Sequence, residues 1–248
     1  MKRIHHHIIF YVWVTTTVVM VALPARAQTG RWPNGADVAL SLTFDDGLQE
    51  HYTIVYPLLQ ELHLRGTFWI IGSSIDRRKA RRDAPPMTWE QVREMADAGH
   101  EIANHSYSHR NLADMTLAQA REEIIRGDSA IYAHTGRHTT ALAFPSNHKS
   151  DSLITMVRDM GIYPRVAQRS FGGKSASTEQ DFDKWLNKVL KSGEWTIAMT
   201  HAIAIGYDAF PDPALFEQYI RRLAQLHEEG KIYIAPFSEI ASQITNNN

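Results

Sequence analysis

Short apolar runs alternate with longer amphipathic segments along most of the chain. The runs are five to seven residues long and are bounded by polar or glycine-containing stretches, which is typical of strands. This pattern predicts strands at residues 38–44, 67–71, 100–104, 140–144, 162–166, 195–200 and 231–235. Between them, apolar residues at helical spacing predict helices at residues 52–64, 89–98, 117–133, 152–160, 181–191, 213–229 and 237–244.

Seven strand–helix units in strict alternation predict a parallel sheet covered by helices. We expect an α/β fold of one domain, a distorted (β/α)7 barrel with parallel strands inside and helices outside. An open doubly wound sheet is the alternative. Polar segments follow four of the strands, at residues 45–47, 105–109, 145–148 and 201. They would face one another only if the sheet curls, which favours the barrel.

Residues 1–27 have the features of an export signal: a basic start, an apolar stretch over residues 8–23 and a small-x-small cleavage pattern at residues 25–27. We therefore expect a secreted or periplasmic protein whose mature chain begins near Gln28, with a short N-terminal segment at residues 28–36. An uncleaved membrane anchor is the alternative, because the apolar stretch is only slightly shorter than a membrane span.

Charge and cysteine content exclude several classes of protein. Without the signal segment the chain has 23 basic and 27 acidic residues, so it lacks the positive charge of a nucleic-acid binder. Nothing beyond the signal segment predicts a membrane partner. The chain contains no cysteine, which excludes disulfides, thiolate metal sites and cysteine nucleophiles.

Two polar motifs carry the candidate chemistry: TFDDG at residues 43–47 and HSYSH at residues 105–109. Together they offer two carboxylates and two imidazoles. One carboxylate and two imidazoles can hold a divalent ion with a position left open for water, while the second carboxylate can act as a base. Taken singly, Asp-Asp-Gly after a strand is commonly a turn, and paired histidines are commonly surface residues. Their joint placement after two strands favours a metal-dependent hydrolase.

On these motifs the chain resembles the polysaccharide deacetylase family, carbohydrate esterase family 4, also called the NodB homology domain. The resemblance covers a catalytic domain at residues 37–245. It implies that Asp46, His105 and His109 hold one divalent metal ion, most often zinc, with cobalt, nickel or manganese as alternatives. It also implies that Asp45 is the general base.

The resemblance extends to two further strand ends. The segment AMTH at residues 198–201 is similar to the family's Leu-x-His segment, which implies that His201 is the general acid and that Met199 lines the pocket for the acetyl methyl group. A histidine at a strand end is otherwise more often structural. Pro145 and Ser146 follow the fourth strand, and the family likeness implies that the backbone N–H of Ser146 helps to hold the oxyanion.

The chain departs from the family pattern at two places. Ala143 stands where the family often has an arginine that orients the catalytic aspartate, so we expect a higher pKa for Asp45 than in relatives with that arginine. Arg165 or Arg169 could substitute, although surface or packing roles are more common for such residues. The family's aspartate that tunes the acid histidine has no clear counterpart, since the candidates fall within the predicted helix at residues 181–191.

Possible substrate contacts lie in two loops. A basic run at residues 77–82 includes Arg77 and Arg78. Such a run is commonly a solvated loop, but on the active face it would contact an acidic or phosphate-bearing glycan. Tyr207, shortly after His201, could stack on a sugar ring or pack in the loop.

The resemblance implies an exported metal-dependent hydrolase that removes acetyl groups from an N- or O-acetylated polysaccharide, with a GlcNAc-type polymer as the first candidate. The scissile bond would be a non-peptide C–N bond or an acetyl ester. Two alternatives are a catalytically degenerate carbohydrate-binding relative and an amidohydrolase of a small linear amide. The presence of candidates for both base and acid favours the enzyme.

Overall fold

The computed structural model describes residues 31–80, 83–206 and 208–246. The predicted signal segment at residues 1–27 and the predicted sugar contact Tyr207 lie outside the described residues, as do Arg81 and Arg82 of the basic run. Across the described ranges, no helix combines the length and the apolar character that crossing a membrane requires.

The described residues form eight parallel strands in one sheet. They are β1 Ala39–Phe44, β2 Thr67–Ile70, β3 Glu101–Asn104, β4 Ala141–Ala143, β5 Tyr163–Arg165, β6 Arg169–Ser170, β7 Trp195–Thr200 and β8 Tyr233–Ile234. The order across the sheet is β5-β4-β3-β2-β1-β7-β6. β7 pairs along the whole length of one edge of β1. The other edge of β1 is therefore shared by β2 and β8, with β8 beside the first half of β1.

The sheet curls into a half-barrel. Its outermost strands, β5 and β6, follow each other in the chain, and the connection from Arg165 to Arg169 can span at most about 14 Å. In a flat sheet the same two strands would lie roughly 29 Å apart. The curl brings the two edges towards each other, so the predicted distorted (β/α)7 barrel is confirmed and an open doubly wound sheet is excluded.

Eight α-helices in the described ranges surround the sheet. They are α1 Tyr56–Glu61, α2 Gly72–Asp76, α3 Trp89–Asp97, α4 Leu117–Thr135, α5 Asp151–Asp159, α6 Glu179–Ser192, α7 Pro213–Glu228 and α8 Phe237–Asn246. A π-helical turn at His51–Val55 precedes α1, and short 3-10 turns occur at Leu112–Asp114, Pro145–Asn147 and Gly173–Ser175. Capping boxes at Thr88 and Thr116 start α3 and α4.

The two faces of the strands build separate cores. Leu40 and Phe44 of β1 belong to the main core between sheet and helices. Trp69 of β2 and Ala143 of β4 instead pack inside the curled sheet, with Phe237 of α8 closing its amino-terminal end. Small residues such as Ala143 face the space inside the curled sheet. This leaves room for polar side chains inside the sheet at the carboxyl ends of the strands.

Three features differ from the sequence expectations. The two-residue β6 was not predicted because its residues are polar, and the five-residue α2 was not predicted because it is too short to show helical periodicity. The residues described from 31 to 36 also pack on the body of the fold: Trp32 stacks on Tyr233, and the Asn34 side chain donates to the Ile232 carbonyl at 2.9 Å.

Candidate active site

β1 presents two adjacent carboxylates at its carboxyl end. The Asp45 N–H donates to the Thr200 carbonyl at 2.9 Å, which prolongs the pairing of β1 with β7. Asp46 has φ 79° and Gly47 has φ 66°, so the chain turns sharply directly after Asp45. Both carboxylates are buried, each with 3% relative exposure. The turn directs the two side chains to different partners.

Asp46 lies beside the two histidines that follow β3. His105 donates from Nδ1 to the Ala143 carbonyl at 2.8 Å, which leaves Nε2 as a possible ligand atom. Asp46 Oδ1 lies 3.6 Å from this Nε2 and 3.5 Å from Nε2 of His109. Burial lowers the pKa of His105 even though the nearby aspartates favour its charged form, so the ring is suited to be a neutral ligand.

These three side chains fit a divalent metal ion. One ligand atom from each of Asp46, His105 and His109 lies within 4.8 Å of the others. Two ligands of a tetrahedral zinc ion are separated by about 3.4 Å, close to the two Asp46–histidine distances. Two imidazole nitrogens and one carboxylate oxygen also form a donor set that zinc accepts.

The HSYSH segment is a loop that α4 holds in place, and no helical turn brings its histidines together. The carboxylate of Glu123 accepts from Ser108 N at 2.9 Å and from Ser108 Oγ at 2.7 Å. The Asn104 amide oxygen accepts from Ser106 N at 2.8 Å. A Cβ at Gly127 would lie 2.5 Å from this amide oxygen, so only glycine lets α4 approach so closely.

Asp45 forms a buried, two-pronged ion pair with Arg165. Nη1 and Nη2 donate to the two carboxylate oxygens at 2.7 and 2.6 Å, and both side chains are almost fully buried. Arg165 ends β5, where it pairs in register with Ala143 of β4. Its guanidinium lies over the Trp69 ring, 5.0 Å from the centroid. The arginine that the sequence lacks at residue 143 is therefore supplied by the neighbouring strand at the same level of the barrel.

This ion pair removes the premise of the expectation for the pKa of Asp45. Burial alone would raise it, but the charge and hydrogen bonds of Arg165 hold the pKa of Asp45 well below its usual value of 3.8. The expectation of a higher pKa than in relatives with the motif arginine assumed that no guanidinium reaches Asp45, and this assumption is wrong. The surface or packing role expected for Arg165 is also wrong, whereas Arg169 is exposed.

His201 follows β7 and has a carboxylate partner that sequence reasoning missed. Its Nδ1 donates to Asp208 Oδ2 at 2.9 Å. Burial alone would lower the pKa of His201, but the hydrogen bond to Asp208 and the charges of Asp45 and Asp46 raise it above the usual value. The two aspartates of the 181–191 segment do not pair with His201: Asp181 lies in the first turn of α6, and Asp183 forms an ion pair with Arg222.

Asp208 reaches His201 because two glycines leave space for it. Gly172 and Gly173 have φ 138° and 48°, and a Cβ at Gly173 would lie 3.2 Å from the Asp208 Cβ. A side chain there would combine backbone strain with a tight contact. No spacing signal in the sequence connects Asp208 with His201, because the loop conformation alone brings them together.

The candidate base, acid and metal ligands, together with Arg165 and Asp208, line a cavity of 830 Å³ at the carboxyl ends of the strands. Besides the acidic, histidine and arginine residues of the site, its walls include Phe144, Ser146, Asn147, Gln168, Ser170, Lys174 and Met199. The predicted pocket residues Ser146 and Met199 thus lie on the cavity wall, and Pro145 is buried directly before Ser146.

The predicted substrate contacts Arg77 and Arg78 are not among the residues that line this cavity. Arg78 donates from Nη1 to the Met87 carbonyl at 2.9 Å and so holds its own loop together. Arg77 is exposed. Glycan contacts at Arg77 and Arg78 stay predictions, and Arg78 in addition has a structural role through its bond to Met87.

The candidate base, acid and metal ligands all lie at the carboxyl ends of the strands of a curled parallel sheet. This arrangement is typical of barrel hydrolases. The family model for polysaccharide deacetylase matches residues 33–164, just over half of the chain. The chain belongs to this family, so the resemblance inferred from its motifs is confirmed.

Individual relatives resemble this chain in sequence, and a solved structure resembles it in fold. The Bacillus subtilis protein YxkH is 27% identical over 120 residues, 48% of this chain and 41% of that protein. The Bacillus subtilis peptidoglycan-N-acetylmuramic acid deacetylase PdaA is 30% identical over 105 residues, 42% of this chain and 36% of that protein. The matches span less than half the length of these relatives. A solved Mycobacterium smegmatis structure aligns with a TM-score of 0.67 and 18% identity, covering 87% of this chain and 93% of that one.

Proposed function

We propose that this chain is an exported deacetylase that hydrolyses acetyl groups on an acetylated polysaccharide, with a polymer containing N-acetylglucosamine as the first candidate. The observation that carries the proposal is the pairing of Asp45 with Arg165 and of His201 with Asp208 around one cavity. The cavity volume lies within the range of small-ligand sites, as a sugar unit requires. PdaA, a relative of this chain, is named for a substrate of the same class.

Asp46, His105 and His109 would hold a divalent ion, and we propose zinc because two imidazoles and one carboxylate suit its donor preference. When bound, such an ion polarises the acetyl carbonyl and makes a water molecule more acidic. Catalysis would therefore depend on the ion, and a chelator would stop it.

Asp45 would act as the general base. Arg165 keeps its carboxylate ionised and fixes both oxygens by hydrogen bonds, and each oxygen retains a further lone pair. Asp45 can therefore accept the proton that the attacking water loses. Because the pKa of Asp45 is low, the base remains in its active form across the physiological pH range.

His201 would act as the general acid. Asp208 accepts from Nδ1, so Nε2 would be the atom that donates a proton to the departing nitrogen or oxygen. The raised pKa keeps the imidazole protonated near neutral pH, so that it can donate this proton as the C–N or C–O bond breaks. Ser146 would offer its N–H to the developing oxyanion, which its left-handed backbone conformation and its position on the cavity wall support.

A purely carbohydrate-binding role is less consistent with these residues. Binding needs neither a base held ionised by a buried arginine nor an acid histidine supported by a carboxylate. Both partners cost burial of charged groups, which a binding protein would have no reason to retain.

Acetate release from acetylated chitooligosaccharides, peptidoglycan fragments and acetylxylan tests the proposal. We expect turnover on at least one polymer, loss of turnover with chelator and recovery when zinc is added back. The Asp45→Asn protein should be inactive on all of them while retaining bound metal. Metal-loaded wild-type protein that releases no acetate from any of the three would refute the proposal.

A further inference from the structure

The loop that follows β7 is fastened by two consecutive side chains from the segment after β1. The Glu50 carboxylate accepts from the N–H groups of three successive residues: Ile203 at 2.7 Å, Ala204 at 3.0 Å and Ile205 at 2.8 Å. His51 forms a 2.6 Å hydrogen bond with the carbonyl of His201 itself. Every backbone position from His201 to Ile205 except Ala202 is therefore held by Glu50 or His51.

Glu50 is a strong anchor for this loop. Its side chain is only 7% exposed, and it receives three charge-assisted hydrogen bonds from consecutive amides. The loop leaves the sheet after Thr200 and is neither helix nor strand as far as Gly206, so no regular ladder fixes its course. The three hydrogen bonds to the Glu50 carboxylate therefore hold the backbone of this loop in place where strand pairing has ended.

His51 complements Glu50 as a neutral donor. It is fully buried against the rings of Phe44 and Phe68, with centroid distances of 5.6 and 5.9 Å, and burial lowers the pKa of His51 to about 4. Its Nδ1 has no hydrogen-bond partner among the described residues. Because a carbonyl oxygen only accepts, Nε2 must carry the proton of this neutral ring.

Both side chains belong to the segment that carries the base. Asp45 and Asp46 directly follow β1, and Glu50 and His51 come within six residues of Asp45. The same stretch of chain therefore fixes the candidate base, one candidate metal ligand and the backbone of the candidate acid. Base and acid are thereby tied together through a short segment instead of through the whole barrel.

We propose that Glu50 and His51 are positioning residues for the general acid, setting the His201 backbone so that its ring keeps Asp208 on Nδ1 and faces the leaving group with Nε2. This inference rests on the proposed function. Neither residue touches substrate in this role, and both act through the 201–205 backbone. A displaced imidazole would lose proton donation without losing the metal site.

Substrates with different leaving groups distinguish a role in positioning the general acid from a role in stabilising the protein as a whole. An amide needs a proton on its departing nitrogen, whereas 4-nitrophenyl acetate releases a stable anion that needs none. Glu50→Gln replaces one of the two accepting carboxylate oxygens by an NH2 group, which cannot accept from the backbone N–H groups of residues 203–205. We expect turnover of acetylated chitooligosaccharide to fall at least about tenfold, with KM and bound zinc unchanged and with a much smaller loss on 4-nitrophenyl acetate.

Glu101→Gln is the matched control. Glu101 is likewise a carboxylate that accepts from a backbone N–H, that of Ser238 at 3.1 Å, but it lies at the opposite end of the strands. We expect it to lower stability while leaving the amide-to-ester ratio unchanged. Equal losses on both substrates in Glu50→Gln would overturn the positioning role but leave the proposed function standing, whereas an inactive wild-type protein would refute that function.

Two further measurements do not depend on whether Glu50→Gln folds, and the second of them does not require turnover either. His51→Phe retains a ring against Phe44 and Phe68 but removes the donor to His201, so it should show the same substrate-selective loss. Amide hydrogen exchange of residues 203–205 should accelerate at least about tenfold in Glu50→Gln, or in Glu50→Asp if the former does not fold. Unchanged exchange at these three amides would refute the anchor itself.

Discussion

The buried ion pair of Asp45 and Arg165 gives the most demanding prediction. Arg165→Ala would leave a buried carboxylate without its cation, a change that costs about 3 to 5 kcal/mol at neutral pH. This is a large part of the total stability of a typical domain, about 5 to 15 kcal/mol. The protein should therefore be strongly destabilised at pH 7, and turnover should be lost with the ionised base.

The pH dependence follows from the sign of the pKa shift. In the wild type the lowered pKa of Asp45 contributes stability above pH 3.8 that is lost as the pH falls through the folded-state pKa. Without Arg165, burial remains and raises the pKa, so stability from this group declines as the pH rises above 3.8. The loss caused by Arg165→Ala should shrink by up to about 1.4 kcal/mol per pH unit between pH 7 and pH 4.

Urea denaturation at both pH values, with chelator present to remove metal linkage, measures this difference. Arg137→Ala is the control, because the Arg137–Asp97 pair is more than half exposed and should be worth less than about 1 kcal/mol at either pH. Adding Ala143→Arg to Arg165→Ala should recover part of the loss, since the two positions are register partners. A loss that is equal at pH 4 and pH 7 would refute the reasoning.

Three further outcomes are expected. Asp208→Asn removes a charge that raises the pKa of His201, so the alkaline limb of the activity profile should move to lower pH; an unmoved limb would argue against His201 as the acid. Asp45→Asn should retain metal but lose turnover, whereas His105→Ala should lose metal, both measured by metal analysis and acetate release. Gly173→Ala should lower the melting temperature and turnover together, because a Cβ at φ 48° presses on Asp208; unchanged turnover would contradict the support assigned to that glycine.

Much of the barrel could be predicted because its strands and helices are specified by patterns over a few neighbouring residues. The alternation of apolar runs and amphipathic segments located seven of the eight strands, and the capping residues Thr88 and Thr116 located the starts of two helices. β6 escaped because it consists of two polar residues outside any apolar run, and α2 escaped because five residues are too few to show helical periodicity. Residues at the carboxyl ends of strands could also be predicted to share one face, since parallel strands must place those ends together.

The supporting residues of the site could not be found in this way. Arg165 and Asp208 are ordinary charged residues in the sequence, and no motif spacing relates them to Asp45 or His201. Arg165 reaches Asp45 because the curl of the sheet brings β5 opposite β1, and because Ala143 is small. Assuming that Ala143 left Asp45 without a cation therefore missed the interaction that lowers the pKa of Asp45.

By itself, the sequence determined the strands, the helix starts and which polar side chains stand at the carboxyl ends of the strands, because periodicity and capping act over a few residues. Only the tertiary structure decided which charges meet. Partners such as Arg165 with Asp45, or Glu50 with the loop after His201, come from distant parts of the chain. Their distances are set by sheet curl, strand register and loop course, and over such small distances electrostatic and hydrogen-bond energies change steeply.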